Sequence, residues 1–324
     1  MIGIHLSSIA VLQGLLLLAA APGLLGFLRL IKARAQGRRR RLVTIWQPYR
    51  DLLRLASQRP VRSRRGTLLM AAAPLTVWTL YAALAFAVPL FGEPPLLHID
   101  LIALVYLLAL ARFVPALAGL DSGAPFGALG GTRSMFLSIP TELALVLIGA
   151  ALALHWDTLS VYGLIEAQRP VGWRSIVQID LWLVGLALFF TISLEAGRIP
   201  IDNPATHLEL TMGPKAAALD YAGSDLALIE WGESVKLAVL LTLFVSLFFA
   251  PLLLQNGTDI MQSYYRPLYG AWSMVALVPT VWFLGRIEAG APKVRLRKSP
   301  DRAVLAAGLS LSAILYFMIA GVLA

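Results

Sequence analysis

The chain has 324 residues, of which 58% are hydrophobic and only 14% are charged, with a formal net charge of +9. A soluble domain is about 45–50% apolar and about 25% charged, so a soluble fold of this size would not bury so much apolar surface. The composition therefore excludes a water-soluble enzyme, a disordered chain and a disulfide scaffold, and it predicts an all-α, polytopic membrane protein. With no Cys and four scattered His, no metal site is expected in this chain.

Eight apolar runs are each long enough to cross a bilayer as a helix of about 20 residues. They cover roughly residues 5–29, 67–91, 98–119, 135–156, 175–196, 228–254, 268–285 and 303–324. The first run has no basic segment before it and a basic cluster after it, so we interpret it as a retained span and not as a cleaved signal sequence. Residues 1–324 are predicted to form a single integral membrane domain.

Lys and Arg residues are unevenly distributed among the connections. Most of the 27 follow span 1 or span 7, whereas the connections after spans 2, 4 and 6 hold only Arg169, Arg174 and Arg266. Because cytoplasmic loops carry the excess of Lys and Arg, the odd-numbered connections are predicted to be cytoplasmic and both termini to lie outside. Topology and contact with anionic lipid account for the basic residues, and no nucleic-acid partner is expected.

The basic cytoplasmic connection 30–66 is predicted to contain a short amphipathic helix along the membrane interface. The apolar residues at helical spacing are Ile45, Tyr49, Leu52, Leu53 and Ala56. Pro48 occupies a position that the first turn of a helix accepts. This helix can rest on lipid, dock a soluble partner subunit, or do both.

Ionisable residues at membrane depth are costly and usually functional. Glu142 falls within span 4 and Glu195 ends span 5. Span 6 opens with Glu230, Glu233 and Lys236 at intervals of three, which places the three side chains on one helix face. Close carboxylates in a low dielectric titrate as a coupled group, as a proton relay requires. A static ion-pair contact between helices is the alternative for the residues of span 6.

The connection 196–227 is polar, and Pro200 and Pro204 restrict its backbone. We predict it to be a cytoplasmic coupling loop in which Arg198, Asp202 and Glu209 form a charged lining at the membrane surface. The alternative is a well-capped cytoplasmic loop whose charged side chains are only solvated by water.

The stretch EAGRIPIDNPATHLELTM, from Glu195 to Met212, resembles the signature loop of one membrane-protein family. This family is the membrane subunit of energy-converting [NiFe] hydrogenases, of the formate hydrogenlyase subunit 4 type, which is homologous to subunit 1 of respiratory complex I. Four other segments resemble the same family, so the resemblance spans essentially the whole chain. They are WQPYRDLLRL (Trp46–Leu55), Ala109–Leu145, DLALIEWGESVKLAVLL (Asp225–Leu241) and RIEAGAPKVRLRK (Arg286–Lys298).

Two differences from complex I favour the hydrogenase branch. Complex I members carry an acidic "DLPEAE"-like run in the loop after span 5, where this chain has DNPATHLE at residues 202–209. The first connection has Arg38–Arg41 and lacks the Gly-Pro-Asn element of complex I. A quinone-site subunit of a complex I-like NADH dehydrogenase is the alternative, and a stand-alone transporter is a third class.

The resemblance implies a non-catalytic subunit of an oxidoreductase complex in the prokaryotic cytoplasmic (inner) membrane. Such a subunit anchors a peripheral arm and links electron transfer there to proton or sodium translocation. Its implied partners are the hydrogenase large and small subunits, an iron–sulfur protein and antiporter-like membrane subunits. The [NiFe] site and the iron–sulfur clusters are expected on those partners, with no cofactor in this chain.

The family's functional residues match named positions of this sequence. The interior glutamates match Glu142, Glu195, Glu230 and Glu233. In the relay that we predict from these residues, Lys236 is the countercharge. The loop charges match Arg198, Asp202 and Glu209. A dock for a partner falls at Arg50 and Asp51.

Overall fold

The computed structural model describes residues 2–39, 41–63, 66–91, 93–168, 171, 178–197, 214–249, 259–290 and 300–323. Within these ranges the regular elements are helices, and strand-like pairing is limited to two isolated bridges. The α-helices are α1 (Ile2–Ala35), α2 (Gln47–Ala56), α3 (Leu68–Ala87), α4 (Leu101–Asp121), α5 (Pro125–Trp156), α6 (Val161–Gln168), α7 (Ile179–Glu195), α8 (Pro214–Ala217), α9 (Ser224–Phe248), α10 (Asp259–Gly290) and α11 (Pro300–Leu323). The predicted all-α fold is confirmed.

Seven of the described helices are long and apolar enough to cross a membrane, namely α1, α3, α4, α5, α9, α10 and α11. The predicted span 175–196 corresponds to α7, which has 17 residues and so stands at the lower limit of spanning length, about 17 residues. Each of the eight predicted apolar runs therefore coincides with one helix. The chain is a multi-pass membrane protein.

Helix α5 begins at Pro125, earlier than the predicted start near residue 135. Residues 125–134 are rich in Gly and polar side chains, so they lack the hydropathy of a span. They are nevertheless helical, because Pro125 suits the first turn and α5 packs closely on α4 and α8. A Cβ at Gly130 would overlap the backbone of α8, and one at Gly131 would overlap the Ala116 carbonyl of α4. Glu142 thus lies roughly 25 Å along the axis from the start of α5.

Helix α9 occupies the centre of the bundle. In its apolar stretch 78% of the residues are buried, against 22–50% in the other candidate spans. It contacts α1, α3, α7 and α10, and α2 lies across its first turns. Trp231 donates its indole N–H to the Leu18 carbonyl of α1 and stacks at a tilt on Trp78 of α3, with ring centroids 5.3 Å apart. Asp225 and Lys236 on α9 are therefore held inside the protein, with side chains 8% and 4% exposed.

The connections after spans 1, 3 and 5 meet at one face of the bundle, which we call the basic face. Val61 forms an antiparallel bridge with Ala222, and the Ser63 hydroxyl donates to the Ser122 carbonyl at 2.8 Å. Asp121 accepts hydrogen bonds from the Thr67 backbone N–H at 2.7 Å and hydroxyl at 2.9 Å. This grouping is the one that the charge distribution predicts for cytoplasmic connections.

The connections after spans 2 and 4 meet at the opposite face. Near the start of α1, the Gln13 amide donates to the Pro94 carbonyl at 3.2 Å. At the end of α5, His155 pairs with Asp180 of α7, and its ring centroid lies 5.2 Å from that of Phe317 near the end of α11. Gln13 of α1 and Phe317 of α11 therefore lie toward the same face of the bundle.

Helix α2 confirms the short helix predicted in the basic connection. The five apolar residues predicted for it do not, however, form one buried face. Tyr49 is half-buried and its hydroxyl donates to the Ala19 carbonyl of α1 at 2.6 Å. Leu53 is 72% exposed, and Ile45 belongs to a preceding 3-10 turn, Leu42–Trp46. Because this turn winds more tightly than an α-helix, the α-helical register begins only at Gln47.

Candidate functional site

The charged face of α9 borders an internal cavity of about 260 Å³ near the basic face. Glu230, Glu233 and Lys236 all line it, as their spacing predicts. The ammonium of Lys236 lies 2.7 Å from a Glu233 carboxylate oxygen and 5.4 Å from the centre of the Tyr81 ring. The Lys236 side chain is only 4% exposed, so this cation depends on Glu233 and on the aromatic face for its stability.

A second ion pair, between Arg112 of α4 and Glu195 at the end of α7, borders the same cavity. The exposed fractions of the two side chains are 10% and 0%. Sequence reasoning identified Glu195 but missed Arg112. Arg112 could have been identified from the sequence, because it lies inside the predicted span 98–119. A charged residue there is as unusual as Glu142 is within span 4.

Glu142 is half-buried on α5, and its neighbour Thr141 lines the cavity. Glu142 itself is not among the residues that line the cavity. Glu195, Glu230 and Glu233, by contrast, all line it. The structure therefore brings together three of the four predicted glutamates, with an unpredicted arginine beside them.

Glu230 pairs with Lys215 of the short helix α8, which sequence reasoning also missed. The Lys215 ammonium lies 3.1 Å and 3.4 Å from the two carboxylate oxygens. The nearby Tyr221 phenol donates to the Met70 carbonyl at 2.9 Å, and burial raises its pKa, so it remains a neutral donor. Lys215 is 15 residues from Glu230 and on another helix, which is why the contact was not evident from local spacing.

The three predicted coupling-loop residues, Arg198, Asp202 and Glu209, lie outside the described residues. The described flanks of that segment both reach the cavity, since Gly197 lines it on one side and Lys215 on the other.

The predicted partner dock lies on α2. Arg50 is exposed, whereas Asp51 lies 3.7 Å from the Arg29 guanidinium of α1. Trp46 and Leu53 are 62% and 72% exposed beside them. Asp51 is thus partly engaged within the chain, and the exposed part of this surface is basic and apolar.

Within the described ranges, no three His, Asp or Glu side chains are grouped as a metal site requires. The cavity instead combines the buried pair Arg112–Glu195 with two pairs, Lys236–Glu233 and Lys215–Glu230, whose carboxylates are about 30% exposed. Proton movement between carboxylates is the chemistry that such an arrangement can perform, because Glu195, Glu230 and Glu233 border one cavity and each is paired with a cation whose withdrawal would favour protonation.

Comparison with known proteins identifies the family. A family model described as NADH dehydrogenase matches residues 7–319. Hydrogenase-4 component C of Escherichia coli (strain K12) is 37% identical over 75% of this chain and 76% of its own length. Formate hydrogenlyase subunit 4 of the same organism is 32% identical over 73% of this chain and 76% of its own length.

Two further relatives extend the comparison. The NADH-quinone oxidoreductase H subunit of Syntrophotalea carbinolica is 29% identical over 77% of this chain and 74% of its own length. Among solved structures, a chain of membrane-bound sulfane sulfur reductase, an archaeal respiratory membrane complex, shares the fold. The TM-score is 0.71 at 21% identity, covering 94% of this chain and 99% of that one. The resemblance found in the sequence is confirmed: the chain belongs to the NADH dehydrogenase family and is homologous to hydrogenase-4 component C, formate hydrogenlyase subunit 4 and the H subunit of NADH-quinone oxidoreductase.

Proposed function

We propose that this chain is the membrane anchor and ion-coupling subunit of an energy-converting hydrogenase complex of the formate hydrogenlyase kind. The observation that carries the proposal is the internal cavity, which joins the pairs Arg112–Glu195 and Glu233–Lys236 inside a membrane-spanning bundle. Buried charges cost several kcal/mol each even when paired, so a purely structural bundle has little reason to keep them. The names of the two Escherichia coli relatives support the choice of complex.

Coupling begins at the connection 196–227, where a soluble partner undergoing oxidation and reduction changes the charge or position of the loop. Arg198 and Asp202 serve as the coupling element on that loop. Because the loop's two flanks line the cavity, its movement alters the surroundings of Glu195 at one end and of Lys215 at the other.

The carboxylates then exchange protons, and the charge change passes to antiporter-like membrane neighbours. Glu142, Glu195, Glu230 and Glu233 act as the carriers. Lys236 and Arg112 act as fixed countercharges. One elementary charge moved across 100 mV corresponds to about 2.3 kcal/mol, which a change of ion-pair partner in a low dielectric can supply.

Replacing Glu233 by Gln tests the proposal, because Gln keeps the shape of the side chain and loses its ionisation. In membrane vesicles containing the whole complex, Glu233→Gln is expected to abolish ion pumping. Hydrogenase activity of the soluble arm with an artificial electron donor is expected to persist. Glu166→Gln, a half-buried carboxylate on α6 away from the cavity, is the matched control and should pump normally. Normal pumping by Glu233→Gln would refute the relay.

The partners and the location follow from the same proposal. The complex is expected in the prokaryotic cytoplasmic membrane, with hydrogenase large and small subunits, an iron–sulfur protein and antiporter-like subunits. Purification of the intact complex tests this, since a co-purifying subunit with two Cys-x-x-Cys pairs that binds nickel and iron would support it. Quinone reductase activity that depends on this chain would favour the complex I-like alternative instead.

A further inference from the structure

The helices around α9 leave an opening between α7 and α10. Within the described residues, α7 packs mainly on α5 and α11, whereas α10 packs mainly on α1 and α9. A cavity of about 520 Å³ lies in this opening, with the last turns of α9 as its back wall. We call it the aromatic groove. Its lining includes Trp182 and Phe189 of α7, Phe244 and Phe248 of α9, and Trp282 and Phe283 of α10.

Aromatic contacts close the groove inside the membrane-spanning part of the bundle. The Phe189 ring centroid lies 5.4 Å from that of Phe283 on α10 and 5.9 Å from that of Phe244 on α9. The other lining residues of α7 all precede Phe189, toward the start of that helix. That start lies at the face opposite the basic face, where Asp180 pairs with His155. The groove is therefore blind, and it occupies only the half of the bundle far from the basic face.

The rim of the groove continues the lipid-facing surface of the bundle. Trp182 and Leu186 of α7 are 64% and 47% exposed, and Trp282 of α10 is 52% exposed. Exposed apolar side chains on membrane-spanning helices face the acyl chains of the bilayer. Leu247 and Thr280 line the groove at its back and are only 3% and 5% exposed. The groove thus leads from the lipid-facing surface to residues that the bulk bilayer does not cover.

The shape and the lining of the groove restrict what can enter it. A membrane-spanning helix is about 10–12 Å wide with its side chains, so it cannot pass the contact between Phe189 and Phe283. The lining offers little to a polar ligand, since the Thr280 hydroxyl donates to the Ala276 carbonyl of its own helix at 2.8 Å. The occupant must therefore be apolar and slender, and it must come from the leaflet opposite the basic face.

Trp182 indicates where the polar end of such a molecule would lie. It is three residues from the start of α7, and Trp side chains are enriched at the level of the lipid head groups. A chain that enters beside Trp182 runs along α7 toward Phe189 with its head group outside the groove. This arrangement matches a phospholipid, whose head group stays at the interface while its acyl chain lies in the hydrocarbon region.

We propose that the aromatic groove binds one acyl chain of a phospholipid from the leaflet opposite the basic face. The head group lies beside Trp182, and the chain ends against the rings of Phe189 and Phe283. The bound chain fills the space between α7 and α10 and covers the last turns of α9. The proposal does not depend on the proposed coupling function, because the groove and the charged cavity occupy different halves of the bundle.

Photo-crosslinking tests the site in the intact complex. The complex is reconstituted into vesicles of phosphatidylethanolamine and phosphatidylglycerol, in which a small fraction of the lipid carries a diazirine near the end of one acyl chain. Leu247 and Leu243 are each 3% exposed and lie one turn apart on α9, and of the two Leu247 lines the groove. Peptide mass spectrometry is expected to find adducts about tenfold more often at Leu247, because a carbene reacts only with atoms that it contacts.

Two results of this experiment would overturn the proposal. Equal yields at Leu247 and Leu243 would show that the chain does not enter the groove. Adducts on the exposed rim without any at Leu247 would show that another part of the complex covers the back of the groove.

A variant that fills the groove tests the same site independently. Leu186→Trp places a larger ring at the rim and is expected to reduce the adducts at Leu247 severalfold. Leu110→Trp on α4 is the matched control, because Leu110 is 45% exposed and Leu186 is 47% exposed. This control should leave the yield unchanged. A Leu186 variant with an unchanged yield would contradict binding in the groove.

Competition distinguishes a phospholipid from another lipid with a slender tail. A long-chain isoprenoid quinone, added in excess over the protein, should leave the adducts at Leu247 in place. Loss of these adducts would show that a prenyl tail occupies the groove, and the assignment to a phospholipid would then be wrong.

Discussion

Arg62 and Asp225 are 163 residues apart and form a two-pronged ion pair that joins the first connection to the beginning of α9. The Arg62 Nη2 donates to one carboxylate oxygen at 3.1 Å, and Nε donates to the other. The hydrogen bond to Asp225 raises the pKa of Arg62 further above its usual value, so the guanidinium is always charged. The side chain of Asp225 is 8% exposed. The pair therefore attaches the first connection to the start of α9 at the basic face.

Arg62→Ala is expected to destabilise the protein, because it leaves the buried Asp225 carboxylate without its cation. A loss of about 1–3 kcal/mol is expected from a buried charged group left unsatisfied. Thermal unfolding in detergent measures the change. Arg59→Ala, an exposed arginine three residues earlier, is the control and should unfold like the unmodified protein. Equal unfolding of both variants would show that the pair contributes nothing.

Arg112→Met is expected to cost about 3–5 kcal/mol, because Glu195 then remains buried and uncompensated. The double variant Arg112→Met/Glu195→Gln should recover most of this stability, since both charges are gone. Chemical or thermal unfolding reports stability, and vesicle pumping reports function. Pumping should stay lost in the double variant. A double variant that is no more stable than Arg112→Met would contradict the pairing.

Glu142→Gln tests the one carboxylate of the predicted cluster that does not line the cavity itself. We expect ion pumping to be abolished and artificial-donor hydrogenase activity to be largely intact, because the proposed relay needs an ionisable group at this position and the soluble arm does not. Pumping in vesicles and donor-dependent hydrogen formation are measured on the same preparation. Glu142→Asp, which keeps the charge, should retain part of the pumping. Full pumping by the Gln variant would remove Glu142 from the relay.

Gly130→Ala is expected to destabilise the bundle by about 1–3 kcal/mol, as overpacking of a close contact does. The added methyl would overlap the backbone of Ala216 and Ala217 in α8, next to Lys215. Gly308→Ala on α11 is the matched control, because its methyl would meet nothing within 4 Å. Detergent-solubilised protein is compared by thermal unfolding. A Gly130 variant as stable as the Gly308 variant would show that α8 moves freely.

The eight apolar runs and the signature loop were sufficient to predict the fold and the family. The glutamates could be predicted because even a single carboxylate inside an apolar span is unusual. Their partners were harder to predict. Lys215 is 15 residues from Glu230 and Arg112 is 83 from Glu195, so only the packing of helices brings each pair together. The start of α5 was missed for a related reason, because residues 125–134 are helical through contact with α4 and α8 and not through hydropathy.

At Gly130 and Gly131, α5 lies directly against the main chain of α8 and α4. The distance between these elements is therefore set by atoms that every amino acid shares. Replacing a charged side chain near this contact does not change the main-chain packing. Such a protein can be retuned for a different ion, or for a weaker redox driving force, by altering its charges alone while its architecture is inherited unchanged.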